Sequence, residues 1–327
     1  MKVNNTLPID VPNPMADLVQ REPYYYTNFG ATYLGDSLDI LKEIPDSSVN
    51  LIMTSPPYAL VFKKEYGNAD ADEYVEWFMK FAKEFKRVLR DDGSLVIDIG
   101  GAWNKGEPTR SIYQFELLIA LSKIFKVAQE FYWYNPAKLP APAEWVNVRR
   151  IRVKDAVETV WWLSKTAYPK ADNSNVLQPY SKDMYRLMEN GYRAKKRPSG
   201  HNITNKFGNN NNGSIPPNLL QIGNTDSQSN YLKLCEQNGL KPHPARFPKE
   251  LPTFFINFLT DINDIVLDPF CGSNVTGYAA ENVKRKWIGM ELVEEYLQGS
   301  EFRFPKVWKA REHINGVVEH TSSKVQS

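Results

Sequence analysis

Residues 54–58, with the sequence Thr-Ser-Pro-Pro-Tyr, follow directly on the apolar run Val49–Met53, which is typical of a buried parallel strand. Each proline fixes its own φ angle, lacks an N–H group and pushes the preceding residue out of the helical region. The segment is therefore predicted to be a stiff, extended loop at the carboxyl end of a strand, where open α/β sheets bind their ligands. The Ser55 hydroxyl, the Pro56 carbonyl and the flat Tyr58 ring could hold a planar ring and accept hydrogen bonds from an exocyclic amino group. A plain proline-rich turn is the alternative interpretation.

Strand and helix patterns alternate along most of the chain, which predicts a parallel sheet with helices on both faces. Ser37 is expected to cap the first helix, and Asp91-Asp92-Gly93 to end the long amphipathic helix. The predicted strands are 32–34, 49–53, 94–100, 127–134, 156–163, 265–268 and 287–291, and the predicted helices are 37–43, 70–90, 113–124, 247–259 and 275–282.

A second segment with features of a ligand-binding site begins at Asp268, where a predicted strand leads into the turn Pro269–Asn274 and then into a helix. Gly272 would allow the backbone to approach a ligand, and the helix N-terminus would present N–H groups to an anion. Glu291 ends the next strand, near the spacing at which nucleotide-binding domains place a carboxylate on ribose hydroxyls. A dinucleotide site is one alternative, but the G-x-G-x-x-G pattern is absent from the sequence. A plain strand-to-helix turn is the other.

Charge is unevenly distributed along the 327 residues. Residues 138–206 contain 14 Lys and Arg against 6 Asp and Glu, a net charge of +8, whereas the rest of the chain carries −6. Such asymmetry is typical of a nucleic-acid binder, although a solvated surface can also produce it. The two cysteines, Cys235 and Cys271, support neither a disulfide framework nor a zinc site. With no apolar membrane or signal segment in the sequence, a reducing cytoplasm is the expected location.

The two units together resemble the motifs of amino-directed DNA methyltransferases. Asp268–Ser273 resembles their S-adenosylmethionine motif and 54–58 their catalytic motif, and the order, catalytic motif first, resembles the β group of the family. Ser-Pro-Pro-aromatic resembles the N4-cytosine enzymes, whereas Asp or Asn in place of Ser55 would suggest N6-adenine. Cys271 and Asn274 depart from the glycine-rich form of the cofactor loop. Further matches are Gly35-Asp36, Gly93–Asp98 and His243–Pro248.

This resemblance implies a site-specific methyltransferase with a Rossmann-like α/β fold, a permuted motif order and an inserted irregular target-recognition domain. It would transfer a methyl group from S-adenosylmethionine to cytosine N4 in duplex DNA, by base flipping and direct attack, without a metal. The residues implied in catalysis are Ser55, Pro56, Pro57, Tyr58 and Asp98, with Asp98 orienting Ser55 or accepting the released proton. A strand-end carboxylate that contacts solvent or backbone is the alternative interpretation of Asp98. Those implied in cofactor binding are Asp36, Thr54, Pro244, Phe247, Asp268, Phe270, Cys271, Gly272, Ser273, Asn274 and Glu291.

Double-stranded DNA is the expected partner, together with a cognate restriction endonuclease that acts independently. Lys195, Lys196, Arg197, His201 and Asn202 are predicted to form a DNA-facing loop. The expected domains are an arm (1–22), a catalytic and cofactor-binding domain (23–165 and 241–300), a target-recognition domain (166–240) and a tail (301–327). An N6-adenine or RNA-amine methyltransferase, and a non-catalytic DNA-binding protein, are the alternatives.

Overall fold

The computed structural model describes residues 12–59, 71–191, 209–225 and 229–307. Within these ranges no helix is both long enough and apolar enough to cross a membrane. The strands are β1 (Tyr25–Tyr26), β2 (Gly30–Leu34), β3 (Val49–Thr54), β4 (Leu89–Ile99), β5 (Lys126–Tyr134), β6 (Val157–Ser164), β7 (Leu219–Gln221), β8 (Ile265–Asp268) and β9 (Lys286–Glu291). The α-helices are α1 (Ser37–Leu41), α2 (Ala71–Val88), α3 (Tyr113–Ser122), α4 (Lys182–Asn190), α5 (Asn230–Gln237), α6 (Glu250–Leu259), α7 (Val275–Asn282) and α8 (Glu294–Ser300).

The strands form one nine-stranded sheet in the order β1-β2-β9-β8-β3-β4-β6-β5-β7. The five strands from β2 to β4 run parallel, as the sequence pattern predicted. The prediction was wrong for β6, which runs antiparallel to both β4 and β5. An antiparallel strand shows the same apolar run as a parallel one when both of its faces are covered, so periodicity alone does not give its direction.

Helices cover both faces of the sheet, and each face has its own hydrophobic core. One core includes Tyr74, Phe78 and Phe85 of α2 and the apolar face of α3. The other includes Phe255 of α6 and Ala279 of α7. All six residues of β3 are buried because this central strand lies between the two cores, which explains its mostly apolar sequence.

Segments expected to flank or interrupt the domain also contribute to its packing. Met15 and Val19, within the predicted arm, are fully buried in the first core. Phe304 and Val307, within the predicted tail, are buried in the second. β7, within the predicted recognition domain, pairs in parallel with β5 at the edge of the main sheet.

Two local predictions need correction. The N-cap of α1 is Asp36 and not Ser37, because the Asp36 side chain accepts from the Leu38 N–H at 2.8 Å. The long helix α2 ends at Val88, and residues 91–93 lie inside β4, whose first residue is Leu89. The polar Asp-Asp-Gly sequence indicated a helix end two residues later than the observed one because it lies at the exposed beginning of a strand.

The strand order brings the two predicted units together. β8 pairs with β3 through Leu51–Val266 and Ile52–Leu267, although the two strands are far apart in the sequence. Their carboxyl ends therefore meet at one edge of the sheet, and β9 and β4 end beside them. That edge is where open α/β sheets form their ligand-binding crevice.

Candidate active site

A cavity of about 690 Å³ opens at this edge of the sheet. Its lining includes most of the residues predicted for catalysis and cofactor binding. These are Asp36, Ser55, Pro56, Pro57, Tyr58, Asp98, Pro244, Phe247, Asp268, Phe270, Cys271, Ser273 and Glu291. The structure thus brings the proline loop (residues 54–58) and the strand-to-helix turn (residues 268–274) to the same cavity.

Three of the predicted residues lie behind the cavity lining and connect its parts. The Thr54 hydroxyl donates to Oδ1 of Asp268 at 2.8 Å, and this joins the end of β3 to the end of β8. The Gly272 N–H donates to Oε2 of Glu291 at 2.9 Å. Asn274, which is fully buried, caps α7 by accepting from the Gly277 N–H at 3.0 Å.

Asp268 is the centre of the first of these connections. Besides Thr54, the Thr276 hydroxyl donates to its Oδ2 at 2.6 Å and the Phe270 N–H to its Oδ1 at 3.1 Å. Burial raises the pKa of Asp268 to about 6, although all three hydrogen bonds act in the opposite direction. The carboxylate therefore holds the turn to the sheet and has little exposure to the cavity, with 3% of the residue accessible.

Glu291 holds the other side of the same turn. Its Oε2 accepts from the Gly272 N–H, and its Oε1 accepts from the N–H groups of Leu292 and Val293 at 2.9 Å each. Burial raises the pKa of Glu291, and the backbone donors oppose that shift. Glu291 thus supports the backbone of the turn in addition to lining the cavity.

The departures from a glycine-rich turn have a structural explanation. Asn274 has a φ of 53°, in the left-handed region that asparagine tolerates better than most residues, and its amide also donates to the Tyr25 hydroxyl at 3.0 Å. The Cys271 side chain is 6% exposed and packs against Gly289 of β9, and burial raises the pKa of its thiol. An aromatic group formed by Trp77, Phe81 and Phe270 lies beside this turn, with centroid separations of 5.0–5.9 Å.

The proline loop places Tyr58 between two carboxyl groups. The Tyr58 hydroxyl donates to Oε2 of Glu158 at 2.8 Å and lies 3.4 Å from Oδ2 of Asp98, while the Ser55 hydroxyl donates to it at 3.3 Å. The tyrosine ring packs on the backbone of Gly100, where an added Cβ would be 2.5 Å from the ring. Burial and the two neighbouring carboxyl groups raise the pKa of Tyr58 well above its ordinary value.

Asp98 ends β4 beside this loop and is 1% exposed. Its Oδ1 is buried and has no hydrogen-bond partner among the described residues. Burial, followed by the charge of Glu158, raises the pKa of Asp98 well above its ordinary value. This orphaned oxygen at the cavity wall is available to a polar group of a ligand.

Glu158 and Lys138 also line the cavity, although neither was among the site residues predicted from the sequence. Glu158 lies on β6 within the run Val-Glu-Thr-Val-Trp-Trp-Leu, and Lys138 Nζ lies 2.5 Å from its Oε1. A single carboxylate in an otherwise apolar strand was the signal that could have identified Glu158. The other lining residues, which were not singled out individually as site residues, are Ser37, Trp77, Phe81, Trp133, Asn135, Asn224, His243, Ala245, Arg246, Pro269, Val275 and Leu292.

The connection between β5 and β6, residues 135–156, projects from the rim of the cavity. Asn135 and Lys138 at its base line the cavity, while Val148 and Val153 are 70% and 86% exposed. Its basic residues Arg149, Arg150, Arg152 and Lys154 are also exposed. Exposed apolar side chains interleaved with arginines are typical of an interaction surface. The predicted DNA-facing residues Lys195, Lys196, Arg197, His201 and Asn202 lie outside the described residues.

Comparisons with known proteins agree with this geometry. A DNA methylase family model for N6 and N4 enzymes matches residues 49–302. The type II methyltransferase M.PvuII of Proteus hauseri is 54% identical over 289 residues, which are 87% of this chain and 86% of that protein. The solved structure of the PvuII DNA methyltransferase (cytosine-N4-specific) has a TM-score of 0.73 and 46% identity over 90% of this chain and 96% of its own. The M1.HpyAVI–SAM complex, at 21% identity, has a TM-score of 0.51 over 84% of this chain and 98% of its own, which shows a shared fold.

Proposed function

The chain belongs to the N6/N4 DNA methylase family, and from that membership we propose that it methylates the exocyclic N4 of cytosine at a specific site in duplex DNA. The observation that carries the proposal is a single cavity lined both by Ser55 and Pro56, which can accept from an amino group, and by the turn at Asp268–Ser273. The 54% identity to a type II methyltransferase supports a role in restriction–modification. A cognate restriction endonuclease acting independently on the same sequence, and a cytoplasmic location, are part of this proposal.

The cavity suits S-adenosylmethionine as the methyl donor. Its volume of about 690 Å³ lies in the range of about 300–1,000 Å³ usual for small-molecule sites. The aromatic group Trp77, Phe81 and Phe270 offers apolar surface to an adenine ring. Asp36 and Glu291 offer carboxylates to its polar edges and to the ribose. When bound, S-adenosylmethionine supplies an electrophilic methyl group, whose bond to sulfur breaks as the bond to the attacking nitrogen forms.

The target base would occupy the other part of the cavity. A cytosine inside a duplex must leave the stack, at a cost of a few kcal/mol, before a protein can reach its amino group. The ring of Tyr58 would stack on the extruded base, which can return about 1–3 kcal/mol. Ser55 Oγ and the Pro56 carbonyl would accept from the N4 amine and direct its lone pair at the methyl group. Their contribution is positioning and electrostatics, without a covalent intermediate.

The projecting segment 135–156 would lie against the DNA beside the extruded base. Arg149, Arg150 and Arg152 can contact phosphates, and exposed side chains such as Val148 can fill the space that the base leaves in the stack. The predicted loop containing Lys195, Arg197 and His201 would add contacts of its own. Residues 166–240 would choose the sequence through contacts with base edges.

Incubation of the purified chain with duplex DNA and S-adenosylmethionine, followed by mass analysis of the nucleosides, tests the proposal. N4-methylcytosine is the expected product, and sequencing of the treated DNA should locate it at one short motif. N6-methyladenine in its place would assign the chain to the other amine substrate of the family. Tight binding of DNA and of S-adenosylmethionine without any methylated nucleoside would support a non-catalytic DNA-binding protein.

A further inference from the structure

The hydroxyl of Tyr58 has one proton and three oxygen neighbours. Glu158 Oε2 lies at 2.8 Å, Ser55 Oγ at 3.3 Å and Asp98 Oδ2 at 3.4 Å. Because a hydroxyl donates only once, the shortest of these contacts, the one to Glu158, is the bond that Tyr58 donates. Ser55 in turn donates to Tyr58, so that a line of donors runs from the cavity through two hydroxyls to Glu158.

The negative charge at the end of this line is held in place. Lys138 Nζ lies 2.5 Å from Oε1 of Glu158, the oxygen that Tyr58 does not use. The Glu158 side chain is 17% exposed, so this ion pair is only partly screened by solvent. One oxygen of the Glu158 carboxylate is therefore paired with the Lys138 ammonium group, and the other accepts a hydrogen bond from the Tyr58 hydroxyl.

Asp98 is in the opposite situation. Its Oδ1 has no hydrogen-bond partner among the described residues, and its Oδ2 lies 3.4 Å from the Tyr58 hydroxyl, which is closer to Glu158. An ionised carboxyl with a bare buried oxygen beside a second carboxylate is costly. Burial and the charge of Glu158 raise the pKa of Asp98 and favour its neutral form, and they outweigh the opposite effects of Lys138 and of hydrogen bonds from Tyr58 and Ser55.

The remaining ionisable neighbours do not reverse this arrangement. Lys138 acts on Asp98 as well as on Glu158, and its effect on the pKa of Asp98 is smaller than that of Glu158. Tyr113 of α3 donates its hydroxyl to the Gly100 carbonyl, which directs it away from both carboxyl groups. Arg110, beyond Tyr113, pairs with Asp155 at 2.5 Å.

We infer that Glu158, and not Asp98, receives the proton that the target amine releases, through Ser55 and Tyr58. This inference rests on the proposed function. As N4 gains the methyl group it becomes positively charged and gives one N–H proton to Ser55 Oγ. Ser55 passes its own hydroxyl proton to Tyr58, and Tyr58 passes its proton to Glu158, which ends as a neutral carboxylic acid beside Lys138. Both hydroxyls are regenerated, and the proton then leaves Glu158 to solvent.

Single-turnover methyl transfer with labelled S-adenosylmethionine, measured across pH, tests the inference. The parent rate should fall at low pH, because a protonated carboxyl group cannot accept the proton that the amine releases. Glu158→Gln should lower the rate by about 10²–10³-fold and abolish the low-pH fall, since an amide accepts no proton. Tyr58→Phe keeps the ring but interrupts the line of donors, and it should lower the rate to a similar extent. Asp98→Asn should slow transfer but keep the low-pH fall.

Two controls separate this chemistry from folding and from the proposed function. Glu130→Gln changes an exposed carboxylate on the neighbouring strand β5 and should leave the rate unchanged. Infrared difference spectra between the parent and each variant, recorded at neutral pH without ligands, provide the second readout. The band of a protonated carboxyl group should be lost in Asp98→Asn and retained in Glu158→Gln. The inference is wrong if Asp98→Asn removes the low-pH fall while Glu158→Gln retains it. An inactive parent chain with both variants showing the expected spectra would instead contradict the proposed function.

Discussion

Gly272 lies against the imidazole ring of His243, so that a Cβ atom on Gly272 would come within 2.9 Å of the ring's Nε2. The ring is held by Nδ1, which lies 2.6 Å from the Ala245 carbonyl, and by edge contact with Tyr296. Burial lowers the pKa of His243 to about 4, and the ring is therefore neutral at physiological pH. Because a carbonyl only accepts, Nδ1 carries the proton and Nε2 presents its lone pair toward the turn.

This contact predicts a selective effect of Gly272→Ala on cofactor binding. Gly272 has a φ of +50°, so alanine costs about 1–2 kcal/mol of backbone strain in addition to the contact with His243. Gly106→Ala is the matched control, because Gly106 has a φ of +75° and no atom lies within 4 Å of its added Cβ. Titration calorimetry should show S-adenosylmethionine affinity reduced at least tenfold in Gly272→Ala only. Equal affinities in the two variants would exclude the turn from the cofactor site.

Ser55→Ala should slow chemistry without loss of binding. The change removes one acceptor and almost no volume, so the fold, DNA affinity and S-adenosylmethionine affinity should persist. The rate of single-turnover methyl transfer should fall by about 10²–10³-fold, as is typical when one contact to a developing charge is lost. Ser48→Ala, just before the opposite end of β3, should transfer at the parent rate. A parent-like rate in Ser55→Ala would mean that the proline loop is only a turn.

Thr54→Val should make stability depend more strongly on pH. The folded-state pKa of Asp268, about 6, lies above its ordinary value of 3.8, so its contribution to the free energy of unfolding is greatest below about 3.8 and is lost as pH rises through about 6. The Thr54 hydroxyl stabilises the ionised carboxylate. Its removal should therefore cost about 1–3 kcal/mol at pH 8 and less at pH 5.

Urea unfolding at the two pH values provides the measurement. Thr159→Val is the matched control, because the Thr159 hydroxyl donates at 2.8 Å to the Ile99 carbonyl, which does not titrate. Its cost should be the same at both pH values. If the cost of Thr54→Val is also the same at both, the carboxyl group of Asp268 does not titrate between them in the folded protein.

Arg150→Gln should reduce DNA affinity and its dependence on salt. If Arg150 contacts one phosphate, the slope of log affinity against log salt should become shallower by about 0.9. S-adenosylmethionine affinity should not change. Lys123→Gln removes an exposed charge beyond α3, at the opposite end of the sheet, and should leave the slope as it is in the parent. Filter-binding or anisotropy titrations from low to moderate salt give both slopes.

The parts of the site that lie on short, self-contained motifs could be predicted from the sequence. Ser55-Pro56-Pro57 and Asp268–Ser273 each combine a strand end with residues of restricted conformation, so their local geometry hardly depends on the rest of the chain. The bounds of β8 and α7 were predicted to the residue for the same reason. The general α/β architecture was predicted from segments with the apolar period of a helix alternating with short apolar runs typical of strands.

Glu158 belongs to no such motif: the sequence marks it only as a single carboxylate in an apolar strand, and its contacts in the site depend on the tertiary structure. Only the antiparallel pairing of β6 with β4 brings it to the hydroxyl of Tyr58, and strand direction is not encoded in a doubly buried apolar run. The packing of Met15 and Val19 was missed for a related reason, since two apolar residues in a short irregular segment carry no periodicity. The roles assigned to the site residues and the domain limits remain predictions.

The pairing of β3 with β8 also has a consequence for synthesis on the ribosome. The proline loop emerges first, and β8, which completes its edge of the cavity, emerges much later, followed by Glu291. At about 5–20 residues per second, the interval between Thr54 and Glu291 is on the order of 10–50 s. A nascent chain therefore has no assembled methyl-donor site during that interval, and a truncated product that stops before β8 would have none at all.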